Sequence, residues 1–131
     1  MDENLGMAFH NRRQSRDREV TKRILQICGK KKLWMEPYSE KLFAEELPEV
    51  WQSSEGFLKQ AGDGEVCFTE RISPNEAVEK IEELILFEWN RTYPADLRLN
   101  LNLSEWKLAE QEDFPGFSHE KITQKRYIKK R

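Results

Sequence analysis

The segment LILFEW, residues 84–89, contains the longest run of large apolar residues in the sequence, and it decides the fold class. A short apolar run bounded by polar residues predicts a buried strand, as found in the interior of a sheet. Just upstream, Ser73-Pro74 pairs a capping residue with a proline at the first helical position, which predicts a helix leading into this strand. Helices that alternate with short strands are typical of α/β proteins with parallel strands.

The same alternation extends toward the N-terminus. Val20, Ile24 and Ile27 recur at helical spacing, and they predict a helix that Ser15 caps and that ends near Cys28. The other predicted elements of this half are strands at Leu33–Met35, Val50–Trp51 and Glu65–Thr69, and short helices that begin at Pro37 and after Ser53 or Ser54.

The pattern changes after residue 93. Leucines at 97, 99, 101 and 103 alternate with polar residues and predict a strand with one wet face. Trp106–Ala109 predicts another strand, whereas Ile122–Ile128 fits either a strand or a helix. We therefore expect a single α/β domain over residues 1–131, with short helices packed on a mixed β-sheet and flexible tails at 1–8 and 129–131.

The charge is segregated along the chain, although the net charge is only -2. Nine basic and four acidic residues lie in 1–35, seven and twenty in 36–120, and six and none in 121–131. The acidic middle is either a solvated surface or a face that binds a basic partner, whose association opposite charges would accelerate. Under the second interpretation the candidate partner-binding residues are the acids and aromatic anchors Glu45, Glu46, Glu49, Trp51, Glu55, Phe57, Asp63 and Glu65.

Few side chains have the spacing of a known catalytic site. His10 and His119 are the two histidines, and such a pair can cleave RNA by acid and base catalysis; a structural role for each is the alternative. We predict no metal site, because paired His or Cys ligands at short spacing are missing from the sequence. The sequence contains no Gly-x-Ser-x-Gly nucleophile motif and no glycine-rich run before a helix that could hold a phosphate. We therefore also predict no cofactor site. Cys28 and Cys67 are expected to be buried or half-buried free thiols.

Four groups of residues resemble one small bacterial family, the immunity proteins of contact-dependent growth inhibition and related polymorphic toxin systems. The groups are HNRRQSRD (residues 10–17), LWM with PYS and KLF (33–43), WNR with YPAD (89–96), and DFPG with SHEKIT (113–123). The resemblance implies a small, cofactor-free cytoplasmic protein that binds a cognate toxin domain tightly.

These observations lead to two functional hypotheses. The first is an immunity protein, not an enzyme, that acts as a monomer and neutralises a toxin domain, most simply a nuclease, through the acidic surface. The alternative is a small ribonuclease or RNA-binding protein that uses His10 and His119. The composition does not favour nucleic acid as the partner, and no apolar run is long enough to span a membrane.

Overall fold

The strands of the described residues form three separate three-stranded sheets rather than one continuous sheet. The computed structural model describes residues 1–44 and 51–130. Its strands are β1 (Gly6–Phe9), β2 (Arg12–Arg13), β3 (Leu33–Met35), β4 (Trp51–Ser53), β5 (Val66–Cys67), β6 (Glu83–Glu88), β7 (Leu97–Arg98), β8 (Trp106–Phe114) and β9 (Ile122–Lys129). Its α-helices are α1 (Arg18–Cys28) and α2 (Phe57–Gln60), and 3₁₀ helices lie at Pro37–Phe43, Pro74–Ala77 and Leu103–Glu105. The α/β fold class is confirmed.

The chain divides into two compact units. Unit 1 contains Met1–Val20 and Arg71–Arg131, and unit 2 contains Thr21–Glu70. In the part of the chain that the structure describes, every helix is too short or too polar to cross a membrane.

Unit 2 is built on the parallel sheet β4-β3-β5, as the alternation of strands and helices predicts. The central strand β3 is entirely buried, and Leu33 and Met35 have no exposed surface. Phe43 and Phe57 are also enclosed, at 0% and 1% exposure. We call these four residues the apolar core of unit 2.

Unit 1 contains two antiparallel sheets, β2-β1-β7 and β6-β9-β8. The prediction that residues 84–89 form a central strand is wrong in position. The strand forms, but β9 lies in the middle and β6 lies at one side. The ambiguous segment near Ile122 becomes this central strand, because β6 and β8 both form hydrogen bonds with it.

Two other predictions for unit 1 need correction. The four alternating leucines form a strand only at Leu97–Arg98, although the polar residues between them remain exposed. The segment 1–8 is not a flexible tail, because Asp2 is 1% exposed and its carboxylate accepts backbone hydrogen bonds from Asn4, Gly6 and Tyr93. At the other end, Lys130 N donates to Glu105 O, so this residue of the predicted tail is also held.

Candidate active site

A tight hairpin sets the path of the segment that precedes α1. Strands β1 and β2 are joined by His10 and Asn11, which have φ angles of 50° and 60°. Positive φ at both central residues is the geometry of the two-residue turn that matches the twist of paired strands. Asp96 stabilises this turn by accepting a hydrogen bond from His10 N at 3.0 Å. After β2, residues 14–17 connect the hairpin to the helix.

Asp17 caps α1, so the prediction that Ser15 is the cap is wrong. The helix begins at Arg18, and the Asp17 carboxylate accepts the Glu19 backbone N–H at 2.9 Å. The same carboxylate accepts the backbone N–H groups of Phe117 and Ser118, both at 2.8 Å. One buried side chain therefore fixes both the start of α1 and the loop that precedes β9.

His119 lies in this loop and is 5% exposed. Its Nδ1 is 2.9 Å from Asp17 Oδ2, and its Nε2 is 3.0 Å from Ser15 Oγ. Because an ionised carboxylate only accepts hydrogen bonds, Nδ1 carries the proton, and in the neutral ring Nε2 accepts the Ser15 hydroxyl proton. The Trp89 ring stacks on the imidazole at 4.6 Å and fixes its plane. We call Ser15, Asp17, Ser118 and His119 the polar cluster.

The ionisation of Asp17 is held by its surroundings. Burial disfavours the charge, but the hydrogen bonds from Phe117 N, His119, Ser118 N and Glu19 N outweigh it and keep the Asp17 pKa well below its usual 3.8. Asp17 is therefore negatively charged at neutral pH, and its carboxylate is hydrogen-bonded to the imidazole of His119.

Gly116 leaves the space that this arrangement needs. A Cβ on residue 116 would lie 2.6 Å from Asp17 Oδ2 and 2.8 Å from His119 O. Both distances are shorter than any normal contact, so a larger residue would displace the carboxylate or the loop. Glycine is therefore required at residue 116, next to the polar cluster.

Tyr93 connects the polar cluster to a cavity of about 460 Å³. Its hydroxyl is 3.4 Å from His119 Nε2, on the same nitrogen that Ser15 contacts. The lining residues of the cavity also belong to unit 1, and they are Phe9, His10, Arg12, Arg13, Gln14, Tyr93 and Pro94. Ser15 and His119 are not among the described residues that line the cavity, and Tyr93 joins it to the imidazole.

The acidic partner-binding candidates do not form one site that the structure describes. Glu45, Glu46 and Glu49 lie outside the described residues. Glu55 and Asp63 are exposed and Trp51 is half-buried, whereas Glu65 accepts hydrogen bonds from Trp34 Nε1 and Gly62 N. Phe57 is wrong as a surface anchor, because it belongs to the apolar core of unit 2.

The two histidines have different environments. His119 is buried in the polar cluster, while His10 is exposed in the hairpin turn, where its ring stacks on Phe9 at 3.9 Å.

The thiols have the expected burial: Cys28 is buried, which raises its pKa to about 11, and Cys67 is half-buried. Among the described residues, no three His, Cys, Asp or Glu side chains converge as metal ligands do.

Sequence reasoning identified His119 but missed its two partners. Ser15 and Asp17 are 104 and 102 positions from His119. Their sequence signal, a serine and an aspartate before an amphipathic helix, is the signal of a helix cap, and Asp17 does have that role. Only the tertiary structure shows that the same carboxylate also holds an imidazole.

Comparison with known proteins shows the fold. No protein-family model matches the chain, and no curated protein matches it. Among solved structures, the chain is similar to dihydrofolate reductase from Enterococcus faecalis complexed with NADP(H) and RAB-propyl, with a TM-score of 0.68. The match covers 100% of this chain and 93% of that chain at 8% sequence identity. The chain therefore has a fold like that of dihydrofolate reductase.

This similarity corrects the functional hypothesis. The hypothesis of an immunity protein rests on the acidic middle, the resemblance and the apparent lack of catalytic side chains. A fold shared with an enzyme over the whole chain points away from it, and the polar cluster shows that catalytic residue types do meet.

Proposed function

We propose that this chain is a hydrolase of carboxylic esters, with Ser15 as the nucleophile, His119 as the general base and Asp17 as the carboxylate that orients the imidazole. The observation that carries the proposal is one chain of two hydrogen bonds. Ser15 Oγ is 3.0 Å from His119 Nε2, and His119 Nδ1 is 2.9 Å from Asp17 Oδ2. Both lie within the reach that nucleophile, base and orienting carboxylate need.

The first half of the reaction would transfer the acyl group to the enzyme. Ser15 Oγ attacks the ester carbonyl carbon while its proton moves to His119 Nε2. The bond to the leaving oxygen then breaks, and His119 returns the proton to that oxygen, which releases the alcohol. Asp17 keeps its charge throughout and stabilises the imidazolium that forms between these steps.

The second half would use water. His119 Nε2 takes a proton from the water, whose oxygen attacks the acyl carbon of the Ser15 ester. The bond to Ser15 Oγ breaks, His119 returns the proton to Oγ, and the carboxylic acid leaves. One ester and one water thus give one acid and one alcohol.

Tyr93 is the residue best placed to stabilise the negative oxygen that develops on the carbonyl. Its hydroxyl lies 3.4 Å from the nitrogen that contacts Ser15, and its side chain lines the cavity. A hydroxyl in this place can donate a hydrogen bond to the oxyanion. We therefore expect Tyr93→Phe to lower kcat more than it changes KM.

The polar cluster has a structural function as well, because Asp17 holds the loop that precedes β9. Ser15 separates the two roles. Its hydroxyl contacts the imidazole and, in the described part of the chain, bonds no backbone group. If the polar cluster were only structural, loss of this hydroxyl would have little effect.

The test is hydrolysis of a panel of p-nitrophenyl esters by the wild type, Ser15→Ala, His119→Gln and Tyr93→Phe. We expect Ser15→Ala and His119→Gln each to lower kcat by about 10³-fold or more. Ser15→Ala should change the free energy of unfolding by less than about 1 kcal/mol. Ser104→Ala is the matched control, since Ser104 is exposed and its Oγ bonds Asn102.

Hydrolysis that is equally fast in Ser15→Ala would contradict the proposal. Oxidation of NADPH in the presence of dihydrofolate, without any esterase activity, would also contradict it and would favour an activity like that of the structural neighbour.

A further inference from the structure

The cavity beside the polar cluster has a charge that the ester hydrolysis itself does not require. Two of its lining residues are arginines, Arg12 and Arg13, and neither aspartate nor glutamate is among the described residues that line it. Arginine presents several N–H donors in a plane and pairs with carboxylate or phosphate oxygens.

The hairpin places these arginines where a ligand could meet them. Both belong to β2, which is held beside β1 by the pairs Phe9↔Arg12 and Ala8↔Arg13. Both arginines line the same cavity, and β2 is two residues long and lies at the side of its sheet. The hairpin therefore brings both arginines to the same cavity.

The distance along the chain from these arginines to the nucleophile is short. Ser15 follows Arg13 by two positions, and Gln14 between them also lines the cavity. Tyr93 contributes to the cavity and lies beside His119 Nε2. Tyr93 thus joins the cavity that the two arginines line to the nitrogen that Ser15 contacts.

We infer that the cavity takes an anionic group, a carboxylate or a phosphate, at the far end of the ester that Ser15 cleaves. This inference rests on the proposed function for the reaction and on the cavity for the charge. The volume of about 460 Å³ is within the range of small-molecule sites. The apolar faces of Phe9 and Pro94 would contact the chain that links the anion to the ester.

The kinetic test compares two esters of similar size, mono-p-nitrophenyl succinate with a free carboxylate and p-nitrophenyl butyrate without one. We expect kcat/KM to be about ten-fold higher for the succinate ester, which is the effect of one good charged contact. In the double variant Arg12→Gln/Arg13→Gln the ratio of the two kcat/KM values should fall to near one. Arg91→Gln is the control, since Arg91 is exposed and is not a lining residue.

A binding test separates this inference from the proposed function. Titration calorimetry of Ser15→Ala with succinate, and separately with inorganic phosphate, measures the anion site without turnover. Binding of succinate but not of phosphate would identify the anionic group of the ligand as a carboxylate, and binding of phosphate but not of succinate would identify it as a phosphate. In either case binding should be lost when Arg12→Gln/Arg13→Gln is added to Ser15→Ala.

The outcomes are distinguishable. If no ester is hydrolysed but an anion binds and the arginine changes abolish binding, the proposed function fails and the anion site stands. If both esters are hydrolysed equally well and neither anion binds, the hydrolase stands and this inference is overturned.

Discussion

The apolar core of unit 2 is buried throughout, whereas in the polar cluster of unit 1 only Asp17 and His119 are buried, and the two groups are stable for different reasons. Leu33, Met35, Phe43 and Phe57 are at most 1% exposed, and their burial stabilises the fold without further conditions. Asp17 and His119 are 4% and 5% exposed, and their burial is tolerable only while each polar atom has its partner. An apolar set of the same volume is often as stable as a buried ion pair or more so. Stability alone therefore does not explain the polar cluster, whereas the proposed hydrolysis would require it.

The largest effect on stability should come from a cavity in the apolar core of unit 2. We expect Phe57→Ala to lower the free energy of unfolding by about 3–5 kcal/mol, because it leaves a cavity in a closely packed core. Phe117→Ala is the matched control. Phe117 is 64% exposed and its ring contacts Arg18 at 3.8 Å, so its loss should cost less than about 1 kcal/mol. Urea unfolding of both variants measures the difference, and equal losses would contradict this assignment of the core.

A methyl group at residue 116 should disrupt the packing around the polar cluster. Gly116→Ala places a Cβ 2.6 Å from Asp17 Oδ2 and 2.8 Å from Ile122 Cδ1, and we expect a cost of about 1–3 kcal/mol from overpacking. Gly56→Ala is the control, since its nearest neighbour would be the Gln60 side chain at 3.8 Å. Thermal unfolding of the two variants checks this. A Gly116→Ala protein as stable as wild type would show that the loop is not held as described.

Acid should weaken the polar cluster but not the apolar core. The folded-state pKa values of Asp17 and Asp2 lie below the usual 3.8, so the unfolded chain takes up protons first as the pH falls. The stabilisation is complete above the unfolded value and decreases as the pH falls below about 4.

Asp17→Asn sharpens this prediction. The amide does not titrate, so stability should depend less steeply on pH in the acid range, and the remaining dependence should include that of Asp2. Urea unfolding at a series of pH values from 7 to 3 measures both slopes. Identical slopes for the variant and the wild type would contradict the ionised, hydrogen-bonded state of Asp17.

Local patterns predicted much of the fold. Strand β3 was predicted at the residues where it forms, and the parallel pairing in unit 2 follows from the alternation of strands and helices. The position of β6 could not be predicted, because an apolar run shows burial and does not show which strands lie on its two sides. The segment of β9 was ambiguous because its apolar and polar residues do not alternate cleanly. Its character depends on pairing with β6 and β8 rather than on its own alternation.

The candidate site was less predictable than the fold. Asp17 and Ser15 precede a helix, where either residue can cap, and local sequence gives no reason to prefer the aspartate. The backbone N–H groups that hold the Asp17 carboxylate in place belong to Phe117 and Ser118, which are 100 and 101 positions away. The acidic middle, in contrast, gave a strong pattern that pointed to a protein partner, and the similarity in fold to an enzyme corrected it.

Covalent labelling tests whether Ser15 is an activated nucleophile. A fluorophosphonate reacts with such a serine by forming an Oγ–P bond with loss of fluoride, while the proton leaves through His119. Intact-mass and peptide analysis should find one label, on Ser15, that is absent from Ser15→Ala and forms much more slowly in His119→Gln. A folded wild-type protein that takes no label, or a Ser15→Ala variant that is labelled as fast as the wild type, would contradict the account.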